Sequence, residues 1–140
     1  MTDVHQRTIE IHTKGKGFTD ITRQIAAVVT ASAVETGLCS IFVQHTSASL
    51  LIQENADPAV LRDLERWMED LAPESDLYEH DAEGRDDMPS HLRAAVTRTS
   101  ETIPITAGRL ALGTWQAAYL WEHRARAHAR HVVITVIGSR

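Results

Sequence analysis

The chain has a single cysteine, Cys39, so no internal disulfide can form and the fold must rest on its core. Cys39 lies in the apolar run LCSIFV, where a thiol behaves as a small buried hydrophobe. No apolar stretch approaches the roughly 20 residues that cross a bilayer, which argues against a membrane partner. The N-terminus, MTDVHQRTIEIHTK, lacks the basic start, apolar middle and small-residue cleavage site of a secretory signal. The expected location is therefore cytoplasmic. A basic excess is also missing. The formal net charge is -5, which gives a nucleic-acid partner no electrostatic support. Absent too are GxGxxG after a strand, GxxxxGK[ST], CxxC pairs and the GxSxG elbow. The sequence has no internal repeat and no linker.

What remains is a chain of 140 residues, 43% hydrophobic, the size of one domain spanning 1–140. Alternation in RTIEIHT predicts a half-buried strand over about 5–13, and KGKG breaks it. Ile21, Ile25, Val28 and Val29 recur at helical spacing, with Thr19 or Asp20 as N-cap and Gly37 as stop. LCSIFVQH reads as a buried strand, and SASLLIQE as a further one entered through a bend at His45 to Ser47. The clearest helix is DPAVLRDLERWMEDLAP, capped by Asp57, with Pro58 in its first turn and Pro73 at its end. Its apolar stripe is Val60, Leu61, Leu64, Trp67, Met68 and Leu71, which places Trp67 in the core. A polar acidic loop follows, then a short helix opened by Ser90. ETIPIT, GRLALGTWQAAYLWEH and HVVITVIG supply the last strands. The order predicts an α+β fold with an antiparallel β-sandwich-like core and two or three helices.

Histidine is over-represented, with 8 in the chain. His45 ends a buried strand, His80 sits in the acidic loop and His91 opens a helix. Three imidazoles from separate elements suit a divalent transition metal with open positions left over. Their spacing, 35 and then 11 residues, is no local metal signature, and surface or capping histidine is the alternative. Glu122, at a strand end, is a candidate general base or a carboxylate behind a metal ligand. Arg109, Arg124 and Arg126 could hold a phosphate through charge-assisted hydrogen bonds.

Taken together, HTSASLLIQENADP, Asp63, LYEH, SHL, GRLALGTWQ, YLWEH and HVVITVIG resemble the YjbQ family, also called the secondary thiamine-phosphate synthase family. The resemblance runs from about Ile9 to Gly138. It implies a compact α+β trimer in which His45, His80 and His91 ligate a shared metal, expected to be zinc. Asn55, Asp57 and Asp63 match polar positions beside the site, and Gly113, Thr114, Trp115 and Gln116 match the GTWQ signature. Glu122 matches the acid that follows. The chain departs from the family where HRARAHAR replaces an Asp-Gly-Pro-Arg type turn, and where the Gly usual before ETIPI is missing.

The implied activity joins a pyrimidine diphosphate to a thiazole phosphate and releases diphosphate. On this reading Glu122, Thr46 and Ser47 are the catalytic candidates. Asn55, Asp57, Arg109, Thr114 and Gln116 would bind the small phosphorylated substrate or anion. The alternatives are a non-catalytic metal- or anion-binding module and a metal-assisted hydrolase built from the same residues.

Overall fold

A computed structural model describes residues 1–140. The chain runs β1 (Thr2–His12), β2 (Gly17–Asp20), α1 (Thr22–Ser32), β3 (Thr36–Val43), β4 (Ala48–Glu54), α2 (Pro58–Leu71), α3 (Asp87–Val96), β5 (Ser100–Thr106), β6 (Arg109–Leu110), β7 (Gln116–Glu122) and β8 (Ala129–Ser139). The strands form two sheets, one ordered β1-β8-β3-β5-β6 and the other β2-β7-β4, and every pairing is antiparallel. The expected α+β fold is what forms, with three helices.

Period-2 alternation decides which residues enter the core. From the larger sheet come Ile11, Cys39, Ile41, Val43, Ile105, Val132, Ile134 and Val136. From the smaller sheet come Ala48, Leu50, Ala118 and Leu120, and α1 adds Ile25, Val28 and Val29. Cys39 is buried as expected, and burial raises its pKa to about 11, which keeps the thiol protonated and inert. The opposite face of the smaller sheet carries a second, more polar layer. There Trp121 donates its indole N–H to Glu65 of α2 at 2.7 Å and stacks on Phe18. Arg93 of α3 donates to the carbonyl of Ala72 at the end of α2.

Several boundaries differ from the sequence pattern. Asp20 does serve the start of α1, accepting the backbone N–H and hydroxyl of Thr22 at 2.9 and 2.7 Å. The stop is Ala33, in the left-handed conformation at φ 58, and Gly37 lies inside β3. The KGKG turn leads directly into the short strand β2. Its Gly15, at φ 116, passes so close to the 124–128 segment that a Cβ there would sit 2.5 Å from the carbonyl of Ala125. Asp57 caps α2 by accepting the N–H of Ala59 at 2.9 Å. The third helix begins at Asp87 instead of Ser90, whose hydroxyl is buried and bonds back to the carbonyl of Asp87.

The placement of Trp67 in the core is corrected. Trp67 is 56% exposed and Leu71 51%, whereas Met68 is fully buried. The inward line of α2 is Leu61, Leu64, Glu65 and Met68, and Trp67 lies roughly 100° around the helix from Met68. A glutamate takes the position that a purely apolar stripe would have given to Trp67. Met68→Ala should therefore destabilise the fold by about 2–5 kcal/mol. Trp67→Ala should stay within about 0.5 kcal/mol of wild type. Denaturant unfolding of both variants checks this, and equal losses would contradict it.

Candidate functional site

After Val43 the chain leaves the larger sheet and re-enters the smaller one at Ala48, so His45, Thr46 and Ser47 lie at the junction between the sheets. Beneath them is a buried ion pair. Glu122, at the end of β7, has no exposed surface, and Arg130 of β8 reaches it with Nε at 2.8 Å and with Nη2. Glu122 also accepts the hydroxyl of Thr13 at 2.8 Å and the backbone N–H of Arg124 at 3.1 Å. Burial pushes its carboxyl pKa up, but the bonds from Arg130 and Thr13 outweigh this and hold it below 4.5. Such a group is anchored and stays ionised. A general base working near neutrality needs the opposite shift.

Arg130 organises its surroundings as well. Its Nη2 donates to the hydroxyl of Ser47 at 2.9 Å and to the Ser47 carbonyl at 3.2 Å, and its Nη1 lies 3.3 Å from Nδ1 of His45. Nε2 of His45 accepts the backbone N–H of His131 at 2.8 Å, and the two rings stack at 5.8 Å. A neutral imidazole has a single lone pair, so with Nε2 accepting, Nδ1 carries the proton and Arg130 Nη1 only stands against it. Burial and the Arg130 charge lower its pKa, so His45 stays neutral.

The other two candidate histidines do meet. Nε2 of His80 lies 2.5 Å, and Nε2 of His91 3.2 Å, from Oδ2 of the buried Asp87. The three donor atoms all lie within 4.8 Å of one another. The structure therefore unites His80 and His91 with Asp87, and directs the ring of His45 elsewhere. Sequence spacing hides Asp87, because Ser90 reads as the start of α3 whereas the helix begins at Asp87. Once α3 starts at Asp87, Asp87 and His91 are i and i+4 on one helix face. Nδ1 of His91 lies 3.0 Å from the Thr46 carbonyl, which can only accept, so the ring proton is on Nδ1. Its bare Nε2 then faces a carboxylate oxygen. Two lone pairs at that distance call for a cation between them, either a second proton or a metal. Two imidazoles and a carboxylate fit zinc in donor type and number.

The segment HRARAHAR joins the two clusters. Arg124 donates to Asp86 at 2.9 Å, pairs with Asp87 at 2.8 Å and donates to the carbonyl of Glu83 at 3.0 Å. The backbone N–H of Ala125 adds a bond to Asp86 at 2.8 Å. Burial opposes ionisation of Asp87, but the bond with His80 and the charge of Arg124 keep its pKa low. The Asp86 bond raises that of Arg124 further. The HRARAHAR segment thus touches the site directly.

The remaining candidates, Arg126 apart, lie away from this end of the fold. β7 is seven residues long, and Gln116 and Glu122 are its two ends, about 20 Å apart at roughly 3.3 Å per residue. Asn55 sits at the Gln116 end, where its Nδ2 donates to the carbonyls of Thr114 and Gln116 at 3.0 and 3.2 Å. Oε1 of Gln116 accepts the N–H of Gly113 at 2.8 Å. In this chain Asn55, Thr114 and Gln116 fasten the GTWQ turn, and Asp57 caps α2. Arg109 is exposed on the two-residue edge strand β6. Arg126 is exposed beyond Arg124.

The sequence model of the UPF0047 protein YjbQ-like family matches residues 7–139. A UPF0047 protein of Synechocystis is 56% identical over 136 residues, 96% of this chain and 92% of that protein. The UPF0047 protein YjbQ of Salmonella typhimurium is 44% identical, over 96% of this chain and 99% of its own length. Among solved structures, a YjbQ/UPF0047 family protein of Clostridium acetobutylicum is 34% identical, with TM-score 0.82 over 91% of this chain and 98% of that one. A YbjQ-like protein of Sulfolobus solfataricus shares the fold at TM-score 0.91 and 24% identity, over 99% of this chain and 100% of that one.

The buried pair gives a pH signature. The unfolded chain takes up a proton on Glu122 below 4.5, whereas the folded chain resists it until lower pH. This contribution to stability is complete above 4.5 and disappears as pH falls through the folded value. Glu122→Gln leaves Arg130 buried without its charge partner and should cost roughly 3–5 kcal/mol at neutral pH. The gap between wild type and variant should narrow as pH falls below 4.5. Urea unfolding at a series of pH values measures it, and a gap independent of pH would contradict the assignment.

Proposed function

The chain belongs to the YjbQ-like UPF0047 family, and from that premise we propose a cytoplasmic, zinc-dependent enzyme acting on small phosphorylated substrates. The reaction we favour joins a pyrimidine diphosphate to a thiazole phosphate, as in secondary thiamine-phosphate synthases. The observation that carries the metal assignment is the convergence of His80, Asp87 and His91, with a bare His91 nitrogen facing a carboxylate kept ionised. His80, Asp87 and His91 would hold the ion, and the chemistry supplied there is charge offset on a departing diphosphate.

The chain's own groups have distinct tasks on this reading. The Thr46 carbonyl orients His91, and Arg124 orients Asp87. Thr46 is exposed beside His91 and offers its hydroxyl to an anion, whereas the Ser47 hydroxyl is engaged by Arg130. Glu122 contributes by fixing Arg130, not by carrying a proton. Arg109, Asn55, Asp57, Thr114 and Gln116 can reach a substrate held at the histidines only from a neighbouring copy, because they lie away from that end of β7. One observation favours the second reading, a non-catalytic metal- or anion-binding module. Arg124 is already paired with two of the chain's own carboxylates, which reduces its pull on a substrate phosphate. A metal-assisted hydrolase would use the same three ligands.

Zinc per chain after dialysis, measured by elemental analysis, should be close to one for wild type and should fall sharply in His80→Ala, Asp87→Asn and His91→Ala. His45→Ala should keep its zinc, and loss there would restore His45 as a ligand. Assayed with the two phosphorylated precursors, the zinc-loaded protein should release diphosphate. Zinc binding without turnover would favour the module.

We also propose a homotrimer. The outward face of the larger sheet presents Val4, Leu38, Phe42 and Ile137, all 44% or more exposed, with Leu38 and Val4 both in register with Ile137. Contact between copies would remove this apolar surface from water. Light scattering should give three times the chain mass, and Leu38→Glu with Phe42→Glu should shift it downwards. A monomer mass for wild type at micromolar concentration would end the proposal.

A further inference from the structure

Three buried side-chain atoms have no hydrogen-bonding partner within the protein: Oε1 of Glu65, Nη1 of Arg93 and Nδ1 of His123. They belong to one neighbourhood, the polar layer between the smaller sheet and the helices α2 and α3. Nη1 of Arg93 lies 3.6 Å from Oε1 of Glu65, just beyond hydrogen-bonding distance. The second oxygen of Glu65 accepts from Trp121, whose ring centre is 5.1 Å from that of His123, the residue after β7.

The other polar atoms of these residues are used. Nε and Nη2 of Arg93 donate to the Ala72 carbonyl at 3.4 and 3.2 Å, and Nε2 of His123 lies 2.8 Å from the Ser49 hydroxyl. Arg93 is 2% exposed and His123 not at all, so bulk water does not reach them. One unpaired buried polar atom costs about 1–3 kcal/mol. Three in a single place are the usual signature of a bound solvent molecule, which needs two to four polar partners.

We propose that a single internal water molecule binds among Glu65, Arg93 and His123. It accepts from Nη1 of Arg93, donates one hydrogen to Oε1 of Glu65 and donates the other to Nδ1 of His123. Both hydrogens of this water find an acceptor only if Nδ1 is bare. The His123 proton is then on Nε2 and is donated to the Ser49 hydroxyl. A direct Arg93–Glu65 ion pair would satisfy two of the atoms and leave Nδ1 of His123 buried and alone. Burial, with the Arg93 charge nearby, lowers the His123 pKa to about 3, which agrees with an imidazole that only accepts at this nitrogen. The site bears on the junction between the sheets. The backbone N–H of His123 donates to the Ser47 carbonyl at 3.2 Å, the same carbonyl that Arg130 grips. The water therefore braces the end of β7 from the face opposite Glu122.

A crystal structure that resolves ordered solvent should show one density peak about 2.7–3.2 Å from all three atoms. Long-range proton–nitrogen NMR of the wild-type protein should show His123 as a single neutral tautomer protonated at Nε2, unchanged from about pH 8 to about pH 5, a range that spans the ordinary histidine value. Arg93→Met should lower the number of long-lived waters seen by oxygen-17 relaxation dispersion by one, and should mix the two His123 tautomers. A direct Arg93–Glu65 contact without solvent density, or a proton on Nδ1 of His123, would overturn the proposal. Both of these are read from the wild type, so the outcome stands even if Arg93→Met fails to fold.

Discussion

Glu122 and Arg130 come from different sheets and meet where neither touches water. A charge buried in this way is tolerable only if it is paired and its remaining hydrogen-bonding positions are filled. That requirement explains much of what surrounds the pair. Thr13 and the backbone of Arg124 complete the carboxylate, and Ser47 completes the guanidinium. Fixing Arg130 sets the environment of His45, and fixing the backbone at Arg124 sends its side chain to Asp86 and Asp87. Asp87 in turn lies against His80 and His91. The path from the interior ion pair to the exposed histidines is a continuous series of hydrogen bonds.

This arrangement divides labour among groups that look alike in sequence. His45 and His91 both stand beside cationic and carboxylate partners, yet they meet opposite conditions. His45 accepts a backbone N–H at Nε2 and is held neutral beside Arg130. His91 gives its proton to a carbonyl and turns its lone pair to a carboxylate. Glu122 and Asp87 are both buried acids with low proton affinity. Glu122 is saturated by the chain itself, whereas Asp87 keeps an oxygen directed at two imidazole nitrogens. Only the second environment leaves a carboxylate oxygen beside two imidazole nitrogens at the surface.

The β4–β7 pairing imposes a further constraint. Ala48 pairs with Glu122 at one end and Glu54 with Gln116 at the other. Polar residues that follow one another closely along the sequence, from His45 to Asp57, are thereby carried to opposite ends of the smaller sheet. Asn55 and the GTWQ turn bind each other and close one end, while the histidines and Arg130 occupy the other. A site that used both sets would need a second copy of the chain.

The sequence alone determined the α+β class and the capped and proline-led start of α2, whereas β3, apolar along most of its length, turns Leu38 and Phe42 outward. The class and the helix start follow from local rules: alternation, helical spacing, caps and turn chemistry act within a few residues. The sequence also marked out HRARAHAR, since a basic run is visible without a structure. Tertiary structure decided the rest. Trp67 lies outside the core because Glu65, drawn inward by Trp121 and Arg93, rotates α2. Asp87 becomes a partner of His91 because α3 starts three residues earlier than Ser90 suggests, with the Ser90 hydroxyl bonded back to Asp87. His45 leaves the histidine set because Arg130, 85 positions later, and the backbone of His131 occupy its ring. Such choices depend on which distant groups arrive to satisfy a buried charge or a free lone pair, and no spacing along the chain encodes that arrival.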